Sequence, residues 1–300
     1  MNYKIVSSLI LSLILLNLPA HADIFDPLVG PNLSDKAFSQ HPQNENFRLS
    51  TGQIIQLPLH STPAGFMLDG TADLKALTAE LAPNGAYPVE IKPGKAMVIV
   101  YAEDFKNASL GRYQELTIMV PVTQQPRNGF ISEVAADLSF LMMFAPKING
   151  VMSGKLPSTY LYIWKMFVTT KLAYDVGREV WGYPKEIAEI QLTDSDSEGT
   201  SALLDTKNSL CQINMHVGPE FFPKQPTKLA MDLFTLTPMK LEQTKRHLLL
   251  NGHAQFKKFN KVTDSFTASL GTDCGDSLAR VGFRPLAWQK NTNDVQIGFH

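Results

Sequence analysis

Gly177-Arg178-Glu179-Val180-Trp181-Gly182-Tyr183-Pro184-Lys185-Glu186 is where a helix hands over to a strand. Upstream of it, Thr170 to Gly182 places Ala173, Val176 and Val180 on one face, and Thr170 is a residue type that caps helix starts. Gly182 and Pro184 forbid the helix to continue. The run from Glu186 to Thr193 then reads as a strand. A lysine that follows proline at a strand start is by default a solvated surface residue. Whether Lys185 is one depends on what the rest of the chain builds around it.

Working outward, the chain is mostly short apolar runs between turn residues. Gln53 to His60, Ala64 to Leu68, Lys95 to Asp104, Tyr113 to Thr123 and Thr159 to Thr169 precede the decisive stretch as strands. Ser201 to Thr206, Cys211 to Val217, Leu229 to Leu236, His247 to Phe256 and Ser265 to Leu270 follow it. A further helix spans Thr71 to Leu81, with Leu74, Leu77 and Leu81 in helical register, Thr71 as its cap and Pro83 beyond its end. This pattern predicts an α+β, β-rich fold: a largely antiparallel, closed, barrel-like sheet with a few flanking helices. Residues 51–300 are expected to form one domain.

The N-terminal end reads differently. Lys4, the apolar run Ile5 to Leu18 and the small residues around Ala20-His21-Ala22 have the pattern of a signal peptide over residues 1–22, with cleavage before Asp23. The apolar run is shorter than the roughly 20 residues that span a bilayer, and no cysteine stands at the cleavage site to take a lipid. No membrane anchor is expected, and the protein is read as exported, periplasmic or secreted. Residues 23–50, rich in Pro, Asn, Ser and Asp, read as an arm or loop. In an oxidising compartment Cys211 and Cys274 could bridge, but their spacing leaves a disulfide and two free thiols equally open.

Composition narrows the function classes. Of the 300 residues, 44% are apolar, and 27 Lys plus Arg against 28 Asp plus Glu give a formal charge of -1. That excludes a disordered chain and gives no electrostatic attraction for nucleic acid or anionic lipid. The seven histidines fall in no ligand-pair spacing, and no phosphate-binding glycine motif occurs, so neither a metal nor a cofactor is expected. Gly275-Asp276-Ser277-Leu278 matches the nucleophile motif of a family of serine esterases. Only Asp294 and His300 follow it as partners, on what reads as a terminal tail.

Gly-Arg-Glu, a short spacer and Tyr-Pro-Lys together resemble the signature of the acetoacetate decarboxylase family. Leu110-Gly111-Arg112-Tyr113-Gln114-Glu115, followed by the apolar Leu116 to Val122, resembles the family's segment that carries a pocket glutamate. The resemblance runs from about Met67 to Leu192. It implies that Lys185 forms a Schiff base with a small keto acid, that Glu115 stands in the pocket, and that the protein acts as a lyase. It also implies an oligomer of identical subunits. Trp164, Met166, Trp181 and Tyr183 are the candidate pocket wall, and Gly177, Arg178 and Glu179 are read as structural.

Such a lysine needs special surroundings. Lowering its pKa from about 10.4 to about 7 disfavours the ammonium by roughly 4.6 kcal/mol, and burial among apolar groups is the expected source. Three departures from the family pattern stand out. Glu186 occupies the place of a second lysine, although a strand would turn it to the opposite face. The family's second pocket acid would fall in Val98-Ile99-Val100, where there is none, and its N-terminal arginine has no counterpart. A periplasmic binding protein without turnover, on the same fold, is the alternative reading.

Overall fold

The computed structural model describes residues 38–124, 126, 160–195, 198–206, 211–219, 225–237, 240–268 and 275–298. The signal-peptide reading and most of the arm fall outside them, as do Cys274 and His300. Along the chain run β1 (Glu45–Arg48), β2 (Ile54–Leu57), β3 (Leu59–Asp73), α1 (Leu74–Leu81), β4 (Tyr87–Pro88), β5 (Glu90–Lys92), β6 (Lys95–Ala108) and β7 (Tyr113–Thr123). After them come β8 (Tyr160–Val168), α2 (Lys171–Trp181), β9 (Lys185–Ile187), β10 (Glu189–Ser195), β11 (Gly199–Asp205) and β12 (Gln212–Val217). The chain continues with β13 (Gln225–Thr237), β14 (Lys240–Lys258), β15 (Ser265–Ala268), α3 (Gly275–Arg280) and β16 (Arg284–Gly298). The fold is β-rich with few helices.

The large sheet has the order β4-β7-β6-β3-β16-β14-β13-β8-β9, and β7 also pairs with β8. A second sheet stacks β10-β11-β12-β15, and β1-β2 forms a separate hairpin. Pairing is antiparallel except where β8 meets β13 and β9.

Both faces of the large sheet are covered, which explains why β6 and β7 read as nearly unbroken apolar runs. Val98, Val100, Ala102, Leu116, Ile118 and Val120 pack with Leu77 and Leu81 of α1 and with Ala202, Leu204, Ile213 and Met215 of the second sheet. On the other face, Ile99, Tyr101 and Met119 pack with Val176, Val180 and Trp181 of α2 and with Leu49, Ile55 and Leu57 of the hairpin. Among the described residues no helix is long and apolar enough to cross a membrane.

Three expectations need correction. Thr71 does not cap α1. It pairs with Met97 and Arg284 inside β3, and Asp73 takes the cap, its Oδ1 accepting from Ala76 N–H at 3.0 Å. Residues 45–48, expected in an unstructured arm, form β1 against β2. The C-terminal residues are no tail, because β16 lies in the sheet between β3 and β14. Its Gln289, Lys290 and Asn291 hid the alternation. α2 matches its reading: Thr170 accepts from Ala173 N–H, and Gly182 ends the helix at φ 67.

Trp288 tests the position of β16. It is fully buried between Phe66 and Phe259, with ring centroids 5.6 and 6.0 Å away. Trp288→Ala should cost about 3–5 kcal/mol by urea unfolding, whereas a residue on a loose tail would cost almost nothing.

Candidate active site

Lys185 opens β9, alongside Met166 of β8. The turn that delivers it is held from α2: Tyr183 N–H donates to Gly177 O at 2.9 Å and Lys185 N–H to Tyr183 O at 2.7 Å. Lys185 is only 4% exposed, while the neighbouring Glu186 is exposed. Alternation along the strand has turned the carboxylate out to solvent, so it does not share the lysine's surroundings.

The Lys185 amine meets Glu115. Nζ donates to Glu115 Oε2 at 2.8 Å, and Glu115, 7% exposed, accepts from Thr117 Oγ1 through its other oxygen at 3.3 Å. The Tyr113 ring, stacked on Phe105, has its centroid 5.7 Å from Nζ. A hydrogen-bonded ion pair is the physically reasonable state for two such groups out of water, since either charge alone would cost several kcal/mol.

Each residue of the Gly-Arg-Glu motif has a separate duty. Gly177 makes room: a Cβ there would lie 2.3 Å from Lys185 Cδ and 2.4 Å from its Cε. Arg178 donates to the Lys185 carbonyl oxygen at 3.2 Å, its guanidinium 5.3 Å from the Tyr174 ring centroid. Glu179 accepts from the Ser50 N–H and Oγ, both at 2.7 Å. Those bonds hold its carboxyl below the usual range and tie the loop between β1 and β2 to α2.

Of the candidate wall, Met166, Trp181 and Tyr183 are buried in one cluster on the Glu115 face, with the Trp181 and Tyr183 ring centroids 5.9 Å apart. Trp164 does not join them. The pairing of β7 with β8 shifts between Ile118 and Met119, passing from Lys165 directly to Ile163, and the bulged Trp164 packs on the opposite core.

Two acids escaped the sequence reading. Glu103, 6% exposed, stands directly opposite Glu115 in the β6–β7 register and shares its face. It lies downstream of the position where a second acid was sought, because register is set by the turn around Gly111 and not by residue count from a motif. Asp69, opposite Ile99 in β3, lies on the same face. Burial lifts its pKa to about 6.

A cavity of about 370 Å³ opens nearby, lined by Gln43, Gln53, Ile55, Leu110 and Leu172 among others. Leu110 and Leu172 also pack against the cluster that holds Met166 and Tyr183. Ser277 is buried on α3 and accepts from Arg280 at 3.2 Å, unlike the exposed nucleophile an esterase needs. Cys211 is disulfide-bonded.

The family model for acetoacetate decarboxylase matches residues 77–246. Similar solved structures include the acetoacetate decarboxylase of Legionella pneumophila, with 13% identity, TM-score 0.47, and 81% of this chain and 85% of that one covered. An acetoacetate decarboxylase-like enzyme from Sphingomonas wittichii has 13% identity and TM-score 0.43, covering 81% and 91%. The enduracididine biosynthesis enzyme MppR has 13% identity and TM-score 0.45, covering 81% and 85%. No curated protein matches the chain.

Asp69 yields a pH prediction. The folded state holds its proton more tightly than the unfolded chain, so this group's contribution is full below about pH 4 and is lost as pH rises to about 6. Asp69→Asn should flatten that fall and raise stability at pH 7 by on the order of 2 kcal/mol, read from urea midpoints at pH 4.5 and 7. An unchanged slope would show the carboxyl to be solvated.

Proposed function

The chain belongs to the acetoacetate decarboxylase family, and from that membership we propose that it is an exported Schiff-base lyase acting on a small keto acid through Lys185. One observation carries the reading: the Lys185 amine is buried, with Glu115 Oε2 2.8 Å away and the side-chain space of Gly177 given over to its stem.

In the proposed reaction Glu115 takes the ammonium proton as Nζ adds to the keto carbon. The resulting carbinolamine loses water, its oxygen leaving with protons drawn from the carboxyl and the amine, and a C=N bond remains. Where the carboxylate is β to the original carbonyl, the iminium then accepts the electron pair of the breaking carbon–carboxylate bond, CO2 departs, and an enamine is left. Protonation at carbon and addition of water release the product and return the free lysine. Glu103, on the same face, is the second acid–base group of this scheme.

The pairing of β7 with both β6 and β8, while β8 also reaches β13, supports a sheet that closes around this face as a barrel. The Cys211 disulfide fits export to an oxidising compartment. The alternative, a periplasmic binding protein without turnover, is favoured by the directness of the Lys185–Glu115 pair, which a silent relative would keep as a structural tie.

Borohydride reduction with a panel of keto acids distinguishes the two. The enzyme reading expects a reduced adduct on the Lys185 peptide, lost entirely in Lys185→Gln and formed about 10²–10⁴-fold more slowly in Glu115→Gln. Reversible binding with no added mass would leave the binding protein. Gly177→Ala should retain the helical circular dichroism of the wild type yet slow adduct formation at least tenfold, since its methyl displaces the lysine stem.

A further inference from the structure

Lys185 is 4% exposed, so a keto acid cannot meet its amine from bulk water without passing the side chains packed around it. The reaction proposed for that amine therefore needs a route. The cavity of about 370 Å³ beside the β1–β2 hairpin supplies the start of one.

Two residues of its wall face both ways. Leu110, in the turn between β6 and β7, and Leu172, in the first turn of α2, line the cavity. Both are half-buried and pack against the cluster of Met166, Trp181 and Tyr183. Leu110 also packs against the smaller cluster of Phe105, Tyr113, Val168 and Ala173, and the Tyr113 ring centroid is 5.7 Å from Lys185 Nζ. The inner wall of the cavity is thus the outer packing of the amine.

The wall holds no charged side chain. Gln43 fixes its rim: Nε2 donates to Pro58 O at 3.0 Å and to Ser109 Oγ at 2.9 Å, joining the end of β2 to the turn after β6. Asn46, Gln53 and Gln56 also line the cavity, and their carboxamides make no hydrogen bond among the described residues. Each keeps N–H donors for a guest. Ile54, 51% exposed, stands beside them. Donors for a carboxylate, no acid to repel it and aliphatic surface for a carbon chain suit one small amphiphilic anion. The volume lies in the usual range of small-molecule sites, about 300–1,000 Å³.

We infer that this cavity is the entry chamber of the Lys185 site, holding an oxo acid by its carboxylate and carbon chain, with Leu110 and Leu172 as the neck through which the carbonyl passes. This rests on the Lys185 reading and narrows it to oxo acids with a single carboxylate and an aliphatic chain. A second carboxylate would meet no cation in the wall.

The test blocks the chamber with a thiol label. Gln53→Cys puts a thiol in the wall, and Val262→Cys, at a position 92% exposed and outside the cavity, is the control. Among the described residues no cysteine is free, so a bulky maleimide marks the introduced thiol. With α-oxovalerate as probe, the label on Gln53→Cys should slow borohydride trapping at Lys185 about tenfold, and the label on Val262→Cys should leave it unchanged. Each variant is compared with itself before and after labelling, so a folding defect cannot imitate the result. Leu110→Ala should raise trapping of the branched isomer α-oxoisovalerate about tenfold relative to α-oxovalerate, and an unchanged ratio would overturn the neck. Trapping that neither label slows would overturn the chamber and leave the lyase reading standing. With no trapping in any variant the lyase reading falls, and thermal melting decides the chamber: stabilisation by α-oxovalerate that the Gln53→Cys label abolishes would keep it as a binding site, and no stabilisation would overturn it as well.

Discussion

A buried amine cannot stand alone, and the hydrogen-bonded pair of Lys185 and Glu115 is the constraint around which the molecule is arranged. Removing an ammonium or a carboxylate from water costs several kcal/mol each, and the pair is tolerable only when both groups are brought into contact. Lys185 comes from β9 and Glu115 from β7, with β8 between them. Strand register, the length of the turn after α2 and the glycine at 177 must therefore agree to within a fraction of a bond length. The cost of the charges makes the surrounding geometry exacting.

Glu186 shows how a sequence-level conflict dissolves in a strand. An acid directly after Lys185 would favour its ammonium form if the two shared a pocket, as Glu115 and Lys185 do. In β9 Lys185 and Glu186 do not share one: the first is buried and the second exposed. The large sheet as a whole works in this way. Its face toward the second sheet sets Val98, Val100, Ala102, Leu116, Ile118 and Val120 side by side, whereas the other face intersperses Glu103, Glu115, Thr117 and Asp69 among Tyr101, Met119 and Met166. The apolar face provides the bulk of burial, which lets the polar face hold charged groups.

What was legible in the sequence was local. The α2 boundaries, Lys185 and Glu115 follow from a cap, a helix stop and two short motifs, each contained within about ten residues. What escaped depended on relations between distant strands. Glu103 reaches Glu115 through the β6–β7 register, and Trp164 leaves the cluster through a bulge where β8 passes β7. Thr71 looked like a helix cap until β3 proved long enough to take it. β16 resembled a tail because its site-side residues, Gln289 and Asn291, are polar. Periodicity detects a strand by the contrast between its faces, and a strand lining a polar site has lost that contrast.

The Gly-Arg-Glu motif is best understood as one rigid turn of helix serving three surfaces. Gly177 faces the lysine stem, Arg178 grips the carbonyl of the same lysine, and Glu179 reaches the hairpin loop at Ser50. Because α2 moves as a unit, the hairpin and the lysine are fixed relative to each other by the same helix. Leu49, Ile55 and Leu57 then pack against Val176, Val180 and Trp181 and cover the face on which the pair lies. The motif's three consecutive residues thus couple the placement of the amine to its enclosure. A change at any one of them reaches Lys185 through backbone and packing, even where the altered side chain never touches the amine.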